Sequence, residues 1–303
     1  MRLTLFTTCK PFRGEFARIQ SDALESWTRL DPRPEILVIG DAPGVDEACA
    51  RLGLRRVPDV PSNEFGTPLL DGLVAAAERA ASGELLAFVN ADVLLPASPL
   101  AAAERVAERF ARFLLVARRW NVPLAEPWDF SAPDWAARLE AFALARGRLE
   151  PVYGGVDLFV FPRGLFASLP AFAIGRGRWD SALVYHARAA RVPVVDATAS
   201  LVTVHPDHGY GHHPGDRSGV FQGPEAVRNE ALLGGAEYVF SAANATHVLD
   251  ARGLRRPRRL DPVLALRRLA NLPALHPSLG LLVPLVRAAA PLWRARRGTA
   301  GQP

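Results

Sequence analysis

The sequence predicts an α/β fold: a mostly parallel sheet with helices on both faces. Three observations predict it. The candidate strands are continuous apolar runs rather than alternating ones, as strands buried on both faces should be. Segments with apolar residues at helical spacing separate them. Pro and Gly stand where those helices should begin and end. With 303 residues, 49% of them hydrophobic, the chain can bury a substantial core.

"LTLFTTC" (3–9) is a β-rich run and the first strand. "GEFARIQSDALESWTRL" (14–30) carries Phe16, Ile19, Ala23, Trp27 and Leu30 at helical spacing. "EILVIGD" (35–41) is the second strand and ends in Gly-Asp. "VDEACARLGL" (45–54) reads as a short helix, and "LRRVPDV" (54–60) as a brief third strand. In "TPLLDGLVAAAERAASG" (67–83), Thr67 suits the N-cap, Pro68 the first turn and Gly83 the stop. "ELLAFVN" (84–90) is the fourth strand. "SPLAAAERVAERFAR" (98–112) repeats the Ser-Pro start and leads into "FLLVAR" (113–118).

The second half is less regular. Helices are expected over 133–147, 179–190 and 223–235, and a strand over 156–162. "VPVVDATASLVTVH" (192–205) reads as one long β segment. There is no internal repeat, and the longest apolar stretch of the tail, 279–286, is too short to span a bilayer.

Charge divides the chain. Residues 251–303 hold 11 Arg against one acid, Asp261, a net charge of +10. The rest holds 25 basic and 30 acidic residues, a net charge of −5. The high isoelectric point therefore belongs to the tail and does not mark a nucleic-acid-binding domain; the tail also has few aromatics for base stacking. Two cysteines, Cys9 and Cys49, make neither a disulfide framework nor a CxxC site. The N-terminus lacks a long apolar run and a cleavage site, so a cytoplasmic protein is expected. Lys10 is the single lysine among 36 basic residues.

In open α/β sheets, ligands bind beyond the carboxyl ends of the strands. Thr7, Thr8 and Lys10 follow the first strand, Asp41 the second, and Asn90 and Asp92 the fourth. No GxGxxG and no Walker A motif accompanies them. Asn90-Ala91-Asp92 has two readings: turn chemistry at a strand end, or a site for a hard divalent cation and a phosphate. Trp179-Asp180 opens a helix, where Asp is either an N-cap or a general base. Gly154, Gly155 and Asp157 read as a turn entering a strand, or as an edge that a ligand approaches closely. His205, His208, His212 and His213 cluster in a loop without the helical H-x₃-H spacing of HExxH.

Taken in order, "FVNADVLL", "GGVDLFVFPRGLF" (154–166), "IGRGRWDSALVYHARAARVPVVDAT" (174–198) and "VHPDHGYGHH" (204–213) resemble a family of GT-A-type glycosyltransferases, the nucleotide-diphospho-sugar transferase-like proteins of bacteria and plants. The resemblance covers about residues 1–250 and is most specific over 150–250. It implies a GT-A-like domain over 1–250, followed by a basic helical extension over 251–303. It also implies a metal-dependent glycosyltransferase of bacterial glycan or polysaccharide synthesis. A nucleotide-diphosphate-sugar would be the donor, Mn²⁺ or Mg²⁺ the cofactor, and a glycan or lipid-linked hydroxyl the acceptor.

By the same resemblance, Asn90 and Asp92 match a D-x-D metal signature with Asn in the first place, and Asp92 is the main ligand. Thr7, Thr8 and Asp41 lie where such enzymes hold the nucleoside, and "SNEFGTPLLDGL" (62–73) where a loop and helix pass under the donor. Asp180 corresponds to the base of inverting members, Trp179 would offer a sugar an apolar face, and Asp157 would bond acceptor hydroxyls. His205 first, and His208 second, would add metal or diphosphate contacts, with Glu225 and Asn229 bracing their loop. The Arg-rich tail is either a solvated appendage or a contact with the anionic inner face of a membrane. The runners-up are a sugar-nucleotide nucleotidyltransferase and a non-catalytic binding module of the same fold.

Overall fold

The computed structural model describes residues 1–210, 213, 215–257, 262–276, 278, 279 and 284. The first half alternates as expected: β1 (Leu3–Thr7), α1 (Gly14–Thr28), β2 (Glu35–Ile39), α2 (Val45–Leu52), β3 (Arg55–Val57), α3 (Leu70–Ala80), β4 (Leu85–Val89), α4 (Leu100–Ala107) and β5 (Leu114–Ala117). Then come β6 (Arg119–Val122), α5 (Trp135–Arg146), β7 (Arg148–Leu149), β8 (Leu158–Pro162), α6 (Trp179–Ala189), β9 (Val194–Asp196) and β10 (Thr203–Pro206). The chain continues through α7 (Asp216–Gln222), α8 (Pro224–Leu233), β11 (His247–Asp250), β12 (Gly253–Arg255), α9 (Pro262–Ala270) and α10 (Leu272–Leu275).

Nine strands form one sheet in the order β12-β11-β9-β5-β8-β4-β1-β2-β3. It is mostly parallel, as the continuous apolar runs require. The exceptions are β8, antiparallel to both β4 and β5, and β12, antiparallel to β11. Successive residues of each central strand enter opposite cores. Leu85, Ala87 and Val89 pack with Trp27, Val106 and Leu139 on one face. Leu86 and Phe88 pack with Leu73, Val74, Leu183 and Trp179 on the other. Burial on both faces is what removes the polar alternation from these strands.

Four sequence expectations are corrected. The long β segment over 192–205 is two strands in different sheets. Asp196 Oδ1 accepts from the Thr198 amide (3.0 Å) and hydroxyl (2.5 Å), an Asx turn that ends β9. β10 then joins a second sheet, β10-β6-β7, parallel to β6. Helix α3 starts at Leu70 rather than at Pro68, because Pro68 and Leu69 form bridges with Ser62 and Ala173. The boundary at residue 250 falls inside the β11–β12 hairpin, so the main sheet continues past it. Beyond it, Arg268 Nε donates to Ala243 O (2.8 Å), and Ala274 is buried in the core on the Trp179 face. Most of the Arg-rich stretch expected to meet a membrane lies outside the described residues. Among the described residues, no helix is long and apolar enough to cross a bilayer.

Glu225 and Asn229 do share a face of α8, but they do not hold the histidine loop. Asn229, fully buried, accepts from Ala173 N (2.9 Å) and donates to Ala173 O (2.9 Å) and Gly177 O (3.0 Å). Glu225 pairs with Arg176 (2.7 Å) and accepts from Asn63 (2.6 Å). Together they brace the 173–177 segment that leads into α6. Asn229→Ala would leave the buried Ala173 amide and carbonyl and the half-buried Gly177 carbonyl without this partner. It is expected to cost about 2–4 kcal/mol, read as a lower urea midpoint with an unchanged slope.

Candidate metal and donor site

The carboxyl ends of β2, β1 and β4 lie side by side in the sheet. That edge gathers Asp41, which is exposed, Thr8, which is partly buried, and Thr7, which is fully buried. Thr7 donates through its hydroxyl to Thr8 O (3.4 Å). After β4 the chain turns at Asn90, whose carbonyl accepts from Val93 N (3.0 Å). Helix α1 holds the next residues: the Trp27 indole donates to Val93 O (2.9 Å), and Ser26 Oγ accepts from Leu95 N (3.0 Å). Leu94 and Val204 then exchange both backbone hydrogen bonds, at 2.8 and 3.0 Å. That pair fixes β10 against the Asp92 turn.

The result is a cluster of Asp92, His205 and His208, with one ligand atom of each within 4.8 Å of the others. Their side chains are only 13%, 10% and 7% exposed. His205 Nε2 is 3.9 Å from Asp92 Oδ1, and His208 Nε2 is 3.4 Å from Asp92 Oδ2. Burial pushes the His205 imidazole down to about 4 against the pull of Asp92, so the ring is neutral and its nitrogens can ligate. Burial also works to raise the Asp92 carboxyl, but Lys10, His208 and His205 outweigh it and hold it well below the usual range. His208 Nδ1 lies 2.8 Å from Gly209 O, a group that only accepts. Nδ1 therefore carries a proton, and Nε2 faces the Asp92 carboxylate.

These residues fit a divalent cation. Asp92 Oδ1, His205 Nδ1 and His208 Nε2 are buried without a hydrogen-bond partner, a state that costs free energy unless something neutralises it. One carboxylate and two imidazoles suit a first-row transition ion such as Mn²⁺ better than Mg²⁺, which prefers an all-oxygen shell.

Beside the cluster runs a polar network. The Asp157 carboxylate accepts from Asn90 Nδ2 (2.5 Å) and from Arg119 Nη1. Arg119 Nε donates to Asn121 Oδ1 (2.9 Å), and Asn121 Nδ2 to Glu150 Oε2 (2.9 Å). Asn121 lies opposite His205 in the β6–β10 register, so the network meets the strand that carries a ligand. The Asp157 carboxylate is thus engaged with Asn90 and Arg119, against the expectation that it meets acceptor hydroxyls. Gly154 and Gly155 likewise make room for protein groups: a Cβ on Gly154 would collide with Glu150, and one on Gly155 would touch Asp180 Oδ2 at 3.4 Å.

Trp179 is corrected to a core residue. It is buried, with its ring edge-to-face against Phe88 at 5.2 Å, so it presents no platform to a sugar. Asp180 is not an N-cap either. It is the second residue of α6, whose cap is Arg178 in the left-handed region (φ 80°). Asp180 Oδ2 accepts from Val156 N (3.3 Å). Burial, then the nearby Asp157 charge, pushes its carboxyl up to about 6, in spite of the amides of Ser181, Val156 and its own residue. Sequence reasoning missed Arg119, whose Asp157 and Asn121 partners are brought to it by tertiary structure.

The strand order gives the chain a mostly parallel α/β architecture with one antiparallel strand beside β4, and Asp92 follows the end of β4. No protein-family model matches it, and no curated protein does. Solved structures do. It is similar to the mannosyltransferase PcManGT from Pyrobaculum calidifontis in complex with GDP-Man and Mn²⁺, at 17% identity and TM-score 0.47, over 100% of this chain and 76% of that one. It is similar to S. aureus TarS 1–349 in complex with UDP-GlcNAc, at 10% identity and TM-score 0.49, over 90% and 72%. It is also similar to glucosyl-3-phosphoglycerate synthase from Mycobacterium tuberculosis, solved with Mn²⁺, UDP and glucosyl-3-phosphoglycerate. Identity there is 17% and TM-score 0.45, over 77% and 78%. At TM-scores under 0.5 these likenesses carry no argument, and the chemistry has to come from the residues of this chain.

Two outcomes follow from the site. Asp92→Ala should weaken Mn²⁺ binding at least about 100-fold, and His205→Ala or His208→Ala about 10- to 100-fold, in calorimetric titrations without nucleotide. Asn90→Asp, which would complete an acidic pair, should lower the melting temperature at pH 8 because it sets a carboxylate against Asp157. A more stable Asn90→Asp protein would contradict the network as drawn.

Proposed function

We propose that the chain is a metal-dependent glycosyltransferase. It would move a sugar from a nucleotide-diphosphate-sugar to an acceptor hydroxyl on a glycan or lipid-linked molecule, in bacterial polysaccharide synthesis. The observation that carries this reading is the Asp92–His205–His208 donor set at the carboxyl end of β4. Three protein ligands leave open positions for a diphosphate. When bound there, the cation supplies the positive charge that stabilises the leaving diphosphate.

The protein's own residues do the rest. Thr7, Thr8 and Asp41, on the adjoining strand ends, hold the nucleoside. Asn90 keeps the turn after β4 tied to Asp157. Asp180 takes the proton of the acceptor hydroxyl. That oxygen forms a bond to the anomeric carbon as the bond from this carbon to the diphosphate oxygen breaks, and the diphosphate leaves with the electron pair. A base with a carboxyl near 6 is mostly ionised at neutrality and basic enough to accept a proton. Asp180 acting in this way makes the transfer inverting.

The same shift sets a stability trend. The Asp180 carboxyl rises from 3.8 to about 6 on folding, so the folded state holds this proton more tightly. Its contribution therefore falls as pH rises from about 4 to about 6, and the penalty is complete above that. Asp180→Asn removes the buried charge. It should melt no lower than wild type at pH 8, while transfer and sugar-nucleotide hydrolysis fall about 100-fold or more. The wild-type rate should climb with pH through about 6. A screen of UDP- and GDP-sugars with Mn²⁺ gives the test, and hydrolysis unaffected by both Asp92→Ala and Asp180→Asn would refute the assignment.

A further inference from the structure

Lys10 is the one lysine in a chain that otherwise uses arginine at every basic position. It stands at the cation cluster. Its Nζ is 3.4 Å from Asp92 Oδ2, the oxygen that also faces His208 Nε2 at 3.4 Å. The ammonium lies 4.2 Å from the centre of the Phe16 ring, and that ring meets His208 edge-on at 4.9 Å. Its backbone is clamped. Gln20, 1% exposed, accepts from Lys10 N (2.7 Å) and donates to Lys10 O (2.9 Å). So the root of the side chain is fixed, while the side chain, four flexible carbons ending in the ammonium, is 32% exposed.

We propose that Lys10 is a displaceable counter-cation of the metal site and, once displaced, a ligand for the diphosphate. This rests on the reading of the cluster as a divalent-metal site. The chemistry is competition for one oxygen. With the site free of metal, the ammonium stands against the buried Asp92 carboxylate and balances its charge. With a divalent cation held by Asp92 and the histidines, the ammonium faces a like charge at the same oxygen and gives it up. A tethered point charge with three donors is then available to the phosphate oxygens that the cation draws in. Arginine would serve less well, because its planar guanidinium holds a carboxylate by two bonds and releases it less readily. The same contact thus opposes metal binding alone and favours metal and diphosphate together, a coupling between two ligands.

The test uses the full chain, Mn²⁺ and inorganic pyrophosphate. Lys10→Met keeps the length of the side chain and removes its charge. Free Mn²⁺ followed by electron paramagnetic resonance should show the variant binding the metal alone about fivefold tighter than wild type. Pyrophosphate binding at saturating Mn²⁺ should be about fivefold or more weaker. A purely structural lysine would weaken both. Labelling of wild type gives a second readout, because the only other amine is that of Met1, distinguished by peptide mass. Mn²⁺ should speed amine-reagent labelling of Lys10, and Mn²⁺ with pyrophosphate should suppress it. If wild type binds Mn²⁺ through Asp92 but Lys10 labelling does not respond, the lysine proposal falls and the metal reading stands. If wild type binds no Mn²⁺ at all, both fall.

Discussion

The paired hydrogen bonds between Leu94 and Val204 are what the functional centre depends on. They join a turn at the end of the main sheet to a strand of the small sheet. Without them Asp92 and His205 belong to separate pieces of structure. With them the register is set to the residue, because a slip of one position on β10 would turn His205 to the other face. Helix α1 reinforces the same turn through Trp27 and Ser26, so the turn is held from a helix and from a strand.

Charge is distributed in this centre with economy. Asp157 acts on the Asp180 carboxyl, Asp92 and Asp157 both act on Arg119, and each of the three carboxyls is answered differently. Asp92 has Lys10 and two imidazoles, Asp157 has Arg119 and the Asn90 amide, and Asp180 has only backbone amides. The least compensated carboxyl is the one whose proton affinity rises, while Asp92 is held ionised. In the proposed transferase this difference would separate two tasks, holding a cation and accepting a proton. The amide at residue 90 then has a physical account. An acid there would face Asp157, whereas an amide donates to it.

Much of the sheet was legible because burial on both faces leaves unbroken apolar runs, as in "LLAFV" and "LFVFP". The helices were legible where apolar spacing was long enough to count. Strands β6 and β7 were not, since four and two residues carry no period, and β10 was merged into one run with β9. At the site, a strand-ending acid and a knot of histidines could be seen in the chain, and the fold brings Asp92, His205 and His208 together. The roles of Trp179 and Asp157 could not be read that way. An aromatic at a helix start can face core or cleft, and whether a carboxylate is free depends on partners such as Arg119 that only tertiary structure supplies. Asp180 looked like a cap because residue type alone does not reveal that the capping position falls at Arg178.

Asp92 follows a strand of the main sheet and His205 lies in the small sheet, which matters for the chain as a polymer. An ion bonded to both Asp92 and His205 closes a long covalent loop, as a disulfide would, in a protein whose two cysteines are free and buried. Such a closure removes freedom from the unfolded chain. The metal centre would then be a removable staple as well as a reaction centre, and the joint between the two sheets would tighten and relax with the supply of the ion.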